Sequence, residues 1–198
     1  MGNPFLSSLS FDVVVVGAGI VGSACAHELS QAGLRTALIE SDTVGSGATA
    51  AGMGHIAVMD DSEAQFALTR YSQLLWREIA ERLPKDVEYV PCGALWVATD
   101  EIEMREVLRK QQYYSDRRVP VEVLDSKTLA AAEPNLRPGF TGALLMKEDA
   151  VIYPPCASRF LVMEAQQLGA TLIVGRKATG ILNGKVQLED GSSVACEL

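Results

Sequence analysis

The chain has 198 residues, 48% of them hydrophobic, and a formal net charge of −8. That is enough apolar material for one sizeable core, or for one core with an insert. The acidic balance offers no basic stripe for nucleic-acid phosphates and no polybasic patch for a membrane surface.

Residues 1–10 hold no Lys or Arg, so they lack the charged start of a secretory leader and are expected to be a loose extension of a cytoplasmic protein. Residues 11–16 end in four valines and read as a strand buried on both faces at the centre of a parallel sheet. The apolar run to Gly22 is too short to cross a bilayer, so no integral membrane segment is expected. Gly17, Gly19 and Gly22 follow as Gly-x-Gly-x-x-Gly. A helix over 20–32 ends at Gly33, and a second strand over 35–40 ends in Glu40. A glycine triplet alone says little, because 17 residues are Gly. Strand, triplet, helix, strand and acid together form a dinucleotide fingerprint.

Each part has a job. Gly17 permits the tight turn, Gly19 lets the backbone approach a pyrophosphate, and Gly22 lets the helix pack close to the strand. The first N–H groups of the helix attract phosphate. Glu40 can accept from ribose hydroxyls and repels a 2′-phosphate, with Ser41 and Asp42 bringing no cation beside it. NADP is disfavoured; FAD or NAD remains.

Residues 41–61 form a long loop with Gly45, Gly47, Gly52 and Gly54 among small residues. Such a loop suits close approach to a flat ligand, with Ser46 and Thr49 as hydroxyl donors. A helix over 62–83 carries Leu68, Tyr71, Leu75 and Ile79 at helical spacing, with Ser62 and Gln65 as a capping box. Strands follow over 87–90 and 93–98, a polar helix over 101–118, a strand over 121–124 and a capped helix over 126–132. Strands over 140–146 and 150–153, a helix over 156–168 and a strand over 171–174 come next. A meander over 178–183, 185–189 and 193–198 turns at Asn183-Gly184 and Asp190-Gly191. The expected fold class is α/β: a Rossmann-type nucleotide-binding domain with an inserted, incomplete α+β domain. The domain over 1–83 is interrupted by an insert over 84–149 and resumes over 150–198.

Cys25, Cys92, Cys156 and Cys196 form no CxxC pair, and neither histidine is near a cysteine in a ligand spacing, so no metal site is expected. All four read as free thiols in small apolar core roles. His27 reads as a surface residue, Trp76 and Trp96 as core, and Tyr113 and Tyr114 lie on the polar helix without an assigned role.

These residues resemble the FAD-dependent D-amino-acid oxidase family, which includes glycine oxidase, sarcosine oxidase and D-amino-acid or D-hydroxyproline dehydrogenases. Four features carry the likeness from Phe11 onward: the triplet Gly17, Gly19, Gly22 with Glu40; the loop from Gly45 to Gly54; Leu124-Asp125 with Glu133-Pro134; and Asp149 to Pro154 with the helix that follows. Residues 51–61 are most similar to the D-hydroxyproline dehydrogenase-like branch.

The resemblance implies FAD, with its phosphates and ribose on Gly17, Ala18, Gly19, Ile20, Val21, Gly22, Glu40 and Ser41. The flavin would lie along Gly47, Ala48, Thr49, Ala51, Gly52, Met53 and Gly54. Ala178 matches a position whose backbone meets the adenine, where Val is more usual, and Ser41 stands where a basic residue often does. His55 is the candidate catalytic residue, near the flavin or the substrate carboxylate. A histidine in this loop holds the flavin covalently in some relatives; His55 is displaced from that position, so non-covalent FAD is expected. The implied reaction is oxidation of a small amino acid or secondary amine (a D-amino acid, glycine, sarcosine or D-hydroxyproline) by hydride transfer to flavin N5. By the same likeness the rest of the substrate domain and its carboxylate-binding arginine would follow Leu198. The alternative expectation is therefore a catalytically incomplete FAD-binding module. Its partner would be a further copy of this chain or a completing second chain.

Overall fold

The structure is a computed structural model and describes residues 10–197. Positions 1–9 of the expected extension, and Leu198 at the end of the last strand, lie outside the described residues. The chain divides into two compact units. One takes residues up to Met53 with Leu83–Glu88 and everything from Tyr153; the other takes Gly54–Arg82 and Tyr89–Ile152. The helix over 62–83, assigned to the first domain from the sequence, thus groups with the second unit.

In the first unit, β1 (Ser10–Phe11) and β2 (Val13–Val16) replace the single strand expected over 11–16. The break falls at Asp12, whose carboxylate accepts Arg35 N–H at 2.7 Å and Arg35 Nε at 3.0 Å. That clasp turns the chain from one sheet into another. β2 leads through α1 (Ile20–Gln31) to β3 (Thr36–Glu40), and α6 (Pro154–Gln167) leads to β9 (Thr171–Val174). The parallel sheet runs β2-β3-β9, with Val13 opposite Thr36 and Glu40 opposite Val174.

β3 is the strand buried along its whole length. Successive side chains of a strand point to opposite faces. Leu38 accordingly packs with Ala18, Ala26, Val162 and Ala165, and Ala37 and Ile39 pack with Phe11, Ile173, Val186 and Val194. β2, expected at the centre, has β3 as its sole hydrogen-bonded neighbour among the described residues. Its valines are therefore half-buried, and Val16 is 56% exposed. The meander is present as β10 (Ala178–Leu182), β11 (Lys185–Leu188) and β12 (Ser193–Cys196), with β1 parallel to β12. Positive φ at Asn183 and Gly184 gives the tight turn that dipeptide favours.

In the second unit, β5 (Ala94–Ala98), β7 (Gly142–Met146) and β6 (Val121–Asp125) form an antiparallel sheet in that order. α3 (Glu63–Ile79), α4 (Glu101–Asp116) and α5 (Ser126–Ala132) accompany it. Ser62, Asp100 and Asp125 cap these helices through their side-chain oxygens. Residues 87–90, of which Val87 and Glu88 belong to the first unit, are not a strand. Pro84 opens a 3-10 turn at Lys85–Val87, Glu88 is left-handed at φ 52°, and Val90 alone bridges to Val151. The loop over 41–61 holds α2 (Ala48–Ala51) and a two-residue strand β4 (His55–Ile56), which pairs with β8 (Ala150–Val151).

Several side chains depart from expectation. The apolar stripe of α3 faces outward, with Leu68 at 68% and Tyr71 at 62% exposed, and the fully buried position is Gln73. Tyr114 is buried with its hydroxyl shared between Val58 O and Asp60 Oδ1, while Trp96 is half-exposed beneath Lys110. The His27 side chain is 15% exposed, against Glu28. None of the four cysteines is in a disulfide, but Cys25 and Cys92 are exposed, so only Cys156 takes the buried role.

A methyl group at Gly22 would meet Gly17 O at 1.8 Å, whereas one at Gly180 would meet nothing. Gly22→Ala is expected to lower the unfolding free energy by about 1–3 kcal/mol, and Gly180→Ala by less than about 0.5 kcal/mol. Urea unfolding of the two variants checks the contrast.

Candidate functional site

The site of the first unit is built around Ala18, which is wholly buried. Gly17, at φ 97°, turns the chain off β2 and donates its N–H to Ile39 O at 2.7 Å. Ala18 N–H then donates to Glu40 Oε2 at 2.7 Å, and Ala18 O accepts Gly45 N–H at 2.9 Å. One residue thus joins the glycine turn, the acid at the end of β3 and the second glycine loop.

Glu40 is 8% exposed. Burial raises its pKa, but hydrogen bonds from Ala18 N–H, Asp42 N–H and Ser41 Oγ outweigh that and hold it below the ordinary carboxylate value. Ser41 therefore has a task the sequence did not disclose: it donates to Glu40 Oε1 at 3.2 Å. Glu40 O also accepts Arg176 N–H at 3.1 Å, which ties the segment leading to Ala178 to the same strand end.

The second glycine loop meets the first at two points. Thr49 Oγ1 accepts Ile20 N–H at 3.0 Å, so the side chain named as a donor from the sequence acts here as an acceptor. A methyl group at Gly19 would come within 2.9 Å of that oxygen. Gly45, at φ 79°, would clash with Pro155 Cα at 2.8 Å if it carried a Cβ. Gly47, Ala48, Thr49, Ala51, Gly52 and Met53 run on from there, with Met53 80% exposed. Gly54 and His55 belong to the second unit, where Gly54 O accepts Ile152 N–H and His55 pairs with Val151.

An FAD pyrophosphate and ribose fit this turn. Methyl groups built at Gly17 or Gly47 meet nothing within 4 Å, so both glycines border open space. No acidic residue lies in the first turn of α1 to oppose an anion. Glu40 accepts from Ala18 N–H at the turn and from Ser41 and Asp42 beside it, so its carboxylate is held in place at the end of β3. Among the described residues no group of His, Cys, Asp and Glu could hold a metal ion, and no helix is long and apolar enough to cross a membrane.

Sequence reasoning missed a polar cluster in the second unit. Gln73 Nε2 donates to Asp149 Oδ1 at 2.9 Å and to Glu148 O at 3.2 Å. Arg70 and Arg77 each reach the Glu148 carboxylate at 2.6 Å. Burial pushes the Asp149 carboxyl up to about 6, against hydrogen bonds from Val58 N–H and Gln73. The helical spacing of α3 held the only signal: Arg70, Gln73 and Arg77 recur every three or four residues opposite the apolar stripe.

The glycine turn, the helix start and the acid that ends the next strand of a parallel sheet define a dinucleotide-binding domain. The model of the family described as FAD dependent oxidoreductase matches residues 12–197. Glycine oxidase of Bacillus licheniformis is 30% identical over 168 residues, covering 81% of this chain and 44% of that protein. The crystal structure of glycine oxidase from Geobacillus kaustophilus superposes with a TM-score of 0.85 at 27% identity, over 95% of this chain and 54% of that one. L-proline dehydrogenase from P. horikoshii gives 0.86 at 25% identity, over 96% and 51%. The chain belongs to the FAD dependent oxidoreductase family, and FAD is the cofactor of that family. It spans about half the length of the relatives it matches.

Because the pKa of Glu40 is lowered from 4.5, its stabilisation is complete above that value and is lost as pH falls below it. Glu40→Gln, which turns an acceptor into a donor facing N–H groups, is expected to cost about 1–3 kcal/mol at pH 7. The deficit should shrink below pH 4, as urea titrations of both proteins at the two pH values would show.

Proposed function

We propose that this chain holds FAD non-covalently and serves the oxidation of a C–NH bond in a small amino acid or secondary amine. The observation that carries the reading is the Ala18 junction, which fastens a ribose-reading carboxylate and a second glycine loop to one dinucleotide turn. The substrate class is supported by the names of the relatives, glycine oxidase and L-proline dehydrogenase.

In this reading Ile20, Val21 and Gly22 offer the start of α1 to the pyrophosphate, Glu40 accepts a ribose hydroxyl, and the backbone at Ala178 meets the adenine. Gly47 to Gly54 border the flavin ring. Bound FAD supplies the two-electron acceptor; the chain supplies orientation and a local field. His55 stands directly after the ring-bordering loop and is the residue of this chain assigned to the substrate carboxylate or to the proton of the amine.

A carboxylate substrate calls for an arginine clamp. In the second unit Arg70 and Arg77 are committed to Glu148, Arg109 to Asp60 and Glu106, and Arg117 to Glu63, while Arg105, Arg118 and Arg137 are exposed. The chain spans about half the length of the relatives it matches, which supports a second form of the reading, in which the chain is a cofactor-holding module completed by another copy or by a second polypeptide. The open edge of β2 and the outward stripe of α3 are surfaces suited to such completion. Cytoplasmic residence is part of the proposal and agrees with four cysteines that form no disulfide.

The visible spectrum of the purified chain tests the proposal. Flavin bands that bleach without oxygen on addition of glycine, sarcosine or D-proline support a self-sufficient enzyme. Flavin bands that do not bleach support the module. A chain that stays colourless with added FAD overturns both. Thr49→Val, which removes the acceptor for Ile20 N–H, is expected to weaken FAD binding about tenfold, the equivalent of one neutral hydrogen bond; flavin fluorescence titration measures it.

A further inference from the structure

Residues 54–59 continue directly from the loop assigned to the flavin ring, and every polar backbone contact found on them lies within the second unit. Gly54 O accepts Ile152 N–H at 2.9 Å. His55 and Ile56 pair with Val151 and Ala150. Val58 is gripped from both sides: its N–H donates to the Asp149 carboxylate, and its C=O accepts the Tyr114 hydroxyl at 3.1 Å. Met59 N–H donates to Thr69 Oγ1 at 3.1 Å. Asp149 is the residue immediately before β8, so it acts on both strands of the β4–β8 ladder. Its backbone leads into one strand, and its side chain holds the residue two beyond the other. It is 4% exposed, and its second partner, Gln73, is wholly buried.

We propose that Asp149 is a positioning residue for the cofactor loop: by fixing Val58 it fixes the far end of Gly47–Gly54, and with it the loop's hold on FAD. The inference rests on the FAD reading above.

The carboxylate suits this task when ionised. Two N–H donors, from Val58 and Gln73, converge on it, and a proton would weaken both bonds by removing the charge. The charged and titratable groups around it are Glu148 beside it, Arg70 and Arg77 on α3 paired to Glu148, and His55 on β4. Tyr114 on α4 and Tyr89 also lie within the field of this cluster, and burial raises both phenols.

The two consequences of protonation have opposite signs. Burial raises the Asp149 pKa to about 6, above its ordinary 3.8. Its contribution to folding stability is therefore full below 3.8 and is lost as pH rises through about 6. FAD retention, which needs the ionised clasp, changes the other way and falls as pH drops through the same range.

The experiment is FAD affinity of the full chain, by flavin fluorescence, from pH 5 to pH 8, with urea unfolding in parallel. The parent is expected to bind FAD about fivefold more weakly at pH 5 than at pH 7.5, while the urea midpoint gains from protonation of this group. Asp149→Asn, which keeps one acceptor and cannot ionise, should flatten both profiles. Gln73→Met removes a hydrogen bond that lowers the Asp149 pKa, so it should move the affinity midpoint to higher pH; this shift separates positioning from general destabilisation, and it remains readable if Asp149→Asn fails to fold. FAD uptake with the same profile in Asp149→Asn as in the parent overturns the inference alone, as does a profile abolished by His55→Gln and retained in Asp149→Asn. A chain that takes up no FAD at any pH overturns the FAD reading and the inference with it.

Discussion

The hydrogen bond from Ala18 N–H to Glu40 Oε2 is the contact on which the first unit depends. It binds the residue after the glycine turn to the last residue of the next strand, closing the β2–α1–β3 passage at the end where a dinucleotide would lie. Because Ala18 is wholly buried, its two backbone polar groups must both find partners inside. Glu40 takes the N–H, and Gly45 supplies the donor for the C=O. The acid is therefore a structural group of the fold in its own right. Its low pKa follows from the same donors, which outweigh the burial that raises it.

Close approach at this junction also explains which glycines are needed and why. Gly22 has to let its helix pass the carbonyl of Gly17. Gly19 has to let Thr49 in, and Gly45 has to pass the first turn of α6. The last constraint links the first stretch of this unit to the stretch that resumes at Tyr153, since α6 begins at Pro154. The paired prolines start that helix where their missing N–H groups leave nothing unsatisfied, and they present a rigid backbone for Gly45 to pack against.

Much of this was legible in the amino-acid sequence, because the fingerprint depends on local geometry: a turn, a close approach and a strand-end acid at fixed spacing. Strand pairing in the meander was legible for the same reason, through Asn183-Gly184. What was not legible depends on neighbours. Four valines do not reveal whether a strand has one partner or two: the run predicts a central strand, and β2 occupies the edge of its sheet among the described residues. A helical apolar stripe does not reveal whether another surface covers it: Leu68, Tyr71 and Leu75 predict the buried face of α3, and its buried side carries Gln73. The FAD family was recognisable from motifs. Thr49 as an acceptor and Ser41 as a donor to Glu40 were not, because a hydroxyl can play either part.

The burial of Gln73 and Asp149 has a consequence for the second unit. A carboxyl and an amide without apolar packing value are costly inside a protein unless each is satisfied. Here both polar atoms of the amide are satisfied: Nε2 donates to Asp149 and Glu148 O, and Oε1 accepts Arg70 Nη1 at 2.6 Å. Arg70 in turn is shared with Glu148, which also holds Arg77. Each member fixes the next, so the network specifies one orientation of α3 against the segment over 148–152 more sharply than apolar contacts would. A fold that needed only stability would do as well with apolar residues at these positions. Retaining a buried acid beside the strand that follows the second glycine loop makes sense where the placement of that strand matters to within a hydrogen bond.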